Sequence, residues 1–196
     1  MNHVMNLYTK ARTGRTQLGF WIYLMTDCVV FGSLFATYAV LRNNTFGGPS
    51  GADIFEMPFV LVETMILLTS SFLCGIAMLA ARAGNRKLML ILFGLTFLLG
   101  VSFLAMELYE FTNLVHEGYS WQTSAFLSSF FTLVGTHGAH ILMGLVWMAV
   151  MMARVVQKGL SEHSLRRLSL LALFWHFLDV IWIFIFTIVY LMGAAA

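Results

Sequence analysis

Charge is the scarcest thing in this sequence. Asp, Glu, Lys and Arg make up 10% of its 196 residues, against about 25% in an ordinary soluble domain. With 60% of residues hydrophobic, that shortage excludes a water-soluble globular protein and leaves a polytopic membrane protein. Cysteine is nearly absent. Cys28 and Cys74 both lie in apolar runs, and no CxxC or CxxxC spacing exists, so neither a disulfide framework nor a thiolate metal site is indicated. Proline is nearly absent too: Pro49 sits in a turn-like segment and Pro58 at the start of an apolar run, where a missing N–H costs a helix nothing. There is no nucleophile motif, no phosphate-binding glycine loop, no internal repeat and no basic patch suited to nucleic acid. By its own residues the chain has no convincing catalytic site.

What the chain does have is five apolar runs, at about 18–41, 58–81, 88–109, 125–152 and 168–191. Each meets the roughly 20-residue requirement for crossing a bilayer core. They predict an all-α fold, a single domain of five transmembrane helices over 18–196, preceded by a polar, basic segment 1–17. The first run is too long for the apolar part of a signal peptide and no A-x-A cleavage site follows, so it is expected to be a retained span. The link 82–87 is short enough to make the second and third spans an antiparallel hairpin. The link 42–57 carries Gly47, Gly48, Pro49 and Gly51, which is turn chemistry.

Lys and Arg alternate sides. Lys10, Arg12 and Arg15, then Arg82, Arg86 and Lys87, then Arg154, Lys158, Arg166 and Arg167 fall on one side, and Arg42 stands alone on the other. Ten against one predicts a cytoplasmic N-terminus and a C-terminus on the periplasmic or outer side. Tyr38, Tyr109, Tyr119, Trp121 and Tyr190 then gather at the outer boundary, as an aromatic belt would.

Eight ionisable residues fall within or at the ends of the apolar runs: Asp27, Glu63, Glu107, Glu110, His137, His140, His176 and Asp179. Such groups are costly in a membrane and are expected to face the bundle interior and satisfy one another. Glu107/Glu110, His137/His140 and His176/Asp179 are each three apart, so each pair shares a helical face. A helical rise of about 1.5 Å per residue puts Asp27 roughly 14 Å, His176 about 12 Å, Asp179 about 17 Å, His137 roughly 12 Å and His140 roughly 8 Å from the cytoplasmic end. These five make one layer, and the three glutamates a second layer nearer the outside. His176 or Asp179 is expected to bond to a neighbouring helix, with His137 and His140 as leading candidates. The network is structural or proton-related. A di-metal centre is disfavoured because no Glu-x-x-His motif exists, and a bis-histidine haem site would need His176 facing His137 or His140. Gly135, Gly138, Ala139 and Gly144 form a small-residue stripe that predicts close helix contact. A small proton-coupled transporter built on Asp27 and Glu63 is an alternative of another class, weakened by the absence of repeats and of prolines inside the runs.

Gly19-Phe20-Trp21-Ile22-Tyr23-Leu24, Leu34-Phe35-Ala36-Thr37-Tyr38, Phe59-Val60-Leu61-Val62-Glu63-Thr64, Glu107-Leu108-Tyr109-Glu110-Phe111 and Gly135-Thr136-His137-Gly138-Ala139-His140 are similar to segments of subunit III of the haem-copper oxidases. The most specific piece is Trp175-His176-Phe177-Leu178-Asp179-Val180-Ile181-Trp182, with Tyr190-Leu191-Met192-Gly193 beyond it. The chain most resembles the five-helix branch of the family, as in bacterial bo-type ubiquinol oxidases. Asp27 falls where the cytochrome c branch carries a glutamate. The resemblance implies a non-catalytic accessory subunit of an oxidoreductase complex in the bacterial inner membrane, which oxidises ubiquinol, reduces oxygen to water and pumps protons. It implies that catalytic subunit I is a partner and holds the haem and copper. It also implies that this chain binds phospholipid but no metal or cofactor, stabilises subunit I and supports proton uptake. A menaquinol or cytochrome c oxidase is the alternative within the family.

Overall fold

The computed structural model describes residues 2–194, with side chains from residue 14 onward except residue 53; the basic side chains of Lys10 and Arg12 lie outside that range. The elements are α1 (Asn2–Leu41), α2 (Gly51–Ile54), α3 (Met57–Arg82), α4 (Arg86–His116), α5 (Ala125–Lys158) and α6 (Glu162–Ile185), then a π-helical turn (Phe186–Leu191) and α7 (Met192–Ala194). Among the described residues five helices are long and apolar enough to cross a membrane: Gly14–Leu41, Met57–Arg82, Arg86–His116, Ala125–Lys158 and Glu162–Ala194. No strand occurs among the described residues. In hydrocarbon every backbone N–H and C=O must be paired within the chain, and a helix does this without a second segment.

The helices overrun the apolar runs, because hydropathy marks where the chain leaves hydrocarbon while a helix ends where its orphan backbone groups find caps. The Asn85 side chain accepts from the Leu88 N–H at 3.1 Å, Ser124 Oγ from Leu127 N–H at 3.1 Å and Ser161 Oγ from Ser164 N–H at 3.2 Å. Gly84 and Gly159, both at φ 77°, follow α3 and α5 in the left-handed region that glycine occupies at no steric cost. The expected polar link 153–167 therefore shrinks to 159–161. At the same end of the bundle Arg86 Nη2 donates to the Val156 carbonyl at 2.6 Å, tying α4 to the last turn of α5.

α3 and α4 form the expected hairpin, and α6 packs against α3, α5 and, more lightly, α1. Trp175 shows how the core closes. Its ring fills the space that glycines leave on two other helices: a Cβ at Gly100 of α4 would stand 2.8 Å from its Cη2, and one at Gly144 of α5 would stand 3.1 Å from its Cζ3. The small-residue stripe of α5 thus makes room for side chains. Gly144 meets Trp175 and Gly138 meets Glu107, whereas Ala139 is exposed and takes no part.

The aromatic belt needs correction. Tyr109 and Trp121 are 59% and 56% exposed, as anchors at a membrane boundary would be. Tyr38 and Tyr190 are buried to 1% and 0% and use their hydroxyls inside the bundle. A tyrosine near a membrane boundary serves either use, and only the facing helix decides.

Candidate functional site

The polar groups of the spans gather on the faces where helices meet. Three contacts run along the α3–α6 seam. Trp182 Nε1–H donates to Thr64 Oγ1 at 3.0 Å, and Trp175 Nε1–H donates to Ser70 Oγ at 3.1 Å. Ser71 Oγ and His176 Nδ1 are hydrogen-bonded at 2.6 Å. The α3 hydroxyls also donate to their own helix, Thr64 to the Val60 carbonyl at 2.8 Å and Ser70 to the Leu67 carbonyl at 2.7 Å. Each therefore satisfies a tryptophan N–H without losing its own proton's partner. Interhelical bonds of this kind contribute about 0.6 kcal/mol each on average in a membrane, so the seam matters through their number and their fixed register.

His176 thus does bond across to a neighbouring helix, but its partner is Ser71 and neither His137 nor His140. Asp179, one turn further along α6, lies close to the same serine. His137 and His140 look elsewhere. His137, fully buried, donates from Nε2 to the Leu178 carbonyl of α6 at 3.2 Å. His140 donates from Nδ1 to the Thr136 carbonyl of its own helix at 2.7 Å, leaving Nε2 3.8 Å from Asp27 Oδ1 on α1.

Glu63 is 0% exposed and Glu107 2% exposed, and with half-buried Glu110 they lie within electrostatic reach of one another. Glu110 Oε2 accepts the Tyr190 hydroxyl at 2.8 Å. Tyr38 donates to the Val189 carbonyl in the π turn at 3.3 Å. Glu107 lies against Gly138, where an added Cβ would stand 2.8 Å from its Oε2. His137 packs beside the seam. Its ring is 5.2 Å from that of Trp182 and 5.9 Å from that of Phe103. The two expected layers adjoin as one group, because the ring of Trp182 in the seam is 6.0 Å from that of Tyr190, which bonds to Glu110. Within it Asp27 Oδ2, both Glu63 oxygens, Glu107 Oε2, His137 Nδ1 and Asp179 Oδ1 have no hydrogen-bond partner in the protein. Unpartnered buried polar atoms are costly.

A haem-copper centre does not fit these residues. Among the described residues no three His, Cys, Asp or Glu side chains converge as metal ligands.

Residues 3–194 match the family model described as cytochrome c oxidase subunit III. The chain belongs to that family. A relative from Pseudomonas aeruginosa, named cytochrome bo(3) ubiquinol oxidase subunit 3, is 58% identical over 92% of this chain and 87% of its own length. One from Bacillus sp. strain PS3, named cytochrome c oxidase subunit 3, is 49% identical over 90% and 85%. One from Bacillus subtilis, named quinol oxidase subunit 3, is 46% identical over 94% and 91%. A subunit III is by its name part of a larger oxidase assembly in a membrane.

Several members of the cluster carried no sequence signal as network residues. Thr64, Ser70 and Ser71 are common small polar residues in apolar helices, where they usually bond their own backbone. Spacing was the available clue. Thr64 and Ser70, the acceptors of Trp182 and Trp175, are six apart on α3, and the two tryptophans are seven apart on α6, so two antiparallel helices present donors and acceptors at about two-turn intervals.

Proposed function

We propose that this chain is the non-catalytic third subunit of a proton-pumping terminal oxidase that oxidises ubiquinol and reduces oxygen to water. It braces catalytic subunit I, which carries the haem and copper, and it helps sustain proton uptake. One observation carries this: residues 3–194 match the subunit III family, and relatives named cytochrome bo(3) ubiquinol oxidase subunit 3 are 58% and 56% identical over 92% and 91% of the chain. The three imidazoles in the spans are hydrogen-bonded within the bundle, to Leu178, Thr136 and Ser71, and such bonds hold helices in register.

Relatives of this chain are named for both quinol and cytochrome c oxidases, so the donor is selected elsewhere in the assembly. The two bo(3) relatives from Pseudomonas at 58% and 56% identity favour ubiquinol. The assembly sits in the bacterial inner membrane. Arg82, Arg86, Lys87, Arg154, Lys158, Arg166 and Arg167 mark the cytoplasmic end and Arg42 the outer end. Residues 18–196 act as one domain, and Asp27, Glu63, Glu107, Glu110, His137, His140, His176 and Asp179 form its internal network. The proton-related share of that role falls to Asp27 and His140. With Nδ1–H given to Thr136, the Nε2 atom is turned to the Asp27 carboxylate at 3.8 Å, an ion-pair separation between α5 and α1.

Purification of the tagged chain in mild detergent from its native membrane tests the proposal. A larger haem- and copper-containing subunit should accompany it. Recovery of the chain alone from membranes rich in the oxidase, or a haem spectrum from the isolated chain, would overturn it.

A further inference from the structure

Two helices bring three acids to one tyrosine. Glu110 of α4 accepts the Tyr190 hydroxyl at 2.8 Å, and Glu63 of α3 and Glu107 of α4 lie within electrostatic reach of the same fully buried side chain. Glu63 is 0% exposed and neither of its oxygens has a hydrogen-bond partner in the protein; Glu107 Oε2 has none either. Tyr190 spends its proton on Glu110, yet its oxygen can still accept a bond. Phe55 lies over this group. Its ring is 4.8 Å from that of Tyr190 and 5.2 Å from that of Phe130. It is wedged where α2 meets the end of the chain, since a Cβ added at Gly51 or Gly193 would stand 2.9 Å from its Cε2. Glu56, the next residue, is exposed, so Phe55 stands between the surface and the acids. Glu63 follows Glu56 by two turns of α3, about 10 Å further in.

A carboxyl group taken out of water and left without a bond is costly in either protonation state. A metal ion, another side chain or a water molecule could meet the need. Among the described residues no group of three His, Cys, Asp or Glu side chains is placed to hold a metal ion. No protein group bonds to Glu63. Water fits where these do not. It donates to a carboxyl oxygen whether the acid is ionised or neutral, and it accepts from the neutral form. A buried water needs about two to four polar partners. The two Glu63 oxygens, Glu107 Oε2 and the Tyr190 oxygen supply them from α3, α4 and the π turn.

We propose that Glu63, Glu107 and Tyr190 form a binding site for buried water, closed toward the surface by the Phe55 ring. The chain in its native assembly is imaged by electron cryomicroscopy at a resolution that shows ordered water, with the parent sequence, Glu63→Leu and Phe55→Ala. The density reports on this chain's own interior, so it is read whichever subunits accompany the chain. In the parent, water density should stand within hydrogen-bond distance of both Glu63 and Glu107, with no further water between it and Glu56. Glu63→Leu should lose that density. Phe55→Ala should keep it and add a line of water reaching out to Glu56; Phe55→Leu, which removes the ring but keeps bulk, serves if the alanine variant does not assemble. The parent density needs no variant, so the proposal can fail on that alone. A metal ion at the site, a direct bond from Glu63 to another side chain, or no density beside Glu63 in the parent would overturn it. Unchanged water in both Phe55 variants would overturn the closure.

Discussion

Ser71 and His176 are 105 residues apart in the chain and 2.6 Å apart between Oγ and Nδ1. That contact fixes the rotation of α6 against α3 at the same height where Trp175 reaches Ser70. It also gives His176 a partner within the chain, so its imidazole is an internal fastening. Ser71→Ala should therefore loosen this seam by about 0.6–1.7 kcal/mol, the range for interhelical bonds in a membrane. It should lower the temperature at which the chain dissociates from its complex and leave the haem bands unchanged. His176→Ala should do more, since it also removes a half-buried ring. Altered haem bands in an intact complex would contradict a structural role.

Gly100 and Gly94 on α4 give a matched pair. A Cβ at Gly100 would stand 2.8 and 3.0 Å from the Trp175 ring, which Ser70 and the helices around it hold in place, whereas a Cβ at Gly94 meets nothing within 4 Å. Gly100→Ala should cost about 1–3 kcal/mol by overpacking. Gly94→Ala should be neutral or stabilise by up to about 1 kcal/mol, as removing a helical glycine does. Thermal unfolding of the two variants in the same detergent checks the difference, and equal midpoints would mean that Trp175 yields.

Asp27→Asn keeps the size of the side chain next to His140 but removes the carboxylate that stands 3.8 Å from its Nε2. No redox ligand is lost, so oxygen consumption by the assembled oxidase should continue at close to the parent rate, and any effect should appear in proton uptake. Loss of all turnover in a fully assembled complex would show that this carboxylate does more than the geometry gives it.

The orientation can be read chemically. Asn43→Cys places a thiol at an exposed position beyond α1, and Lys158→Cys places one at the other end of the bundle. A membrane-impermeant maleimide should label the first in intact cells and the second only after lysis. The native thiols are Cys28, which is exposed on the apolar flank of α1, and buried Cys74; the unsubstituted chain serves as their control. The reverse pattern would invert the topology.

How much of this was legible beforehand depends on the kind of force involved. Five spans, their hairpin and the residues that had to be buried follow from composition and run length, because the cost of exposing backbone and charge to hydrocarbon is large and local. Asp27, Glu63 and His137 could be marked as inward-facing for that reason alone, and each is buried. Their partners could not be marked. Whether His176 meets His137 or Ser71, and whether Tyr190 anchors at the boundary or bonds to Glu110, turns on helix rotations that a few tenths of a kcal/mol per contact decide together. The π turn at Phe186–Leu191 is of the same kind. It resets the rotation of the last span, it brings Tyr190 to Glu110 and the Val189 carbonyl to Tyr38, and nothing in a run of apolar residues announces it. The amino acids alone thus settled what must leave water. Only the packed bundle settled which groups meet, since that choice depends on shape at the helix contacts, where Gly100 and Gly144 leave room for one indole ring.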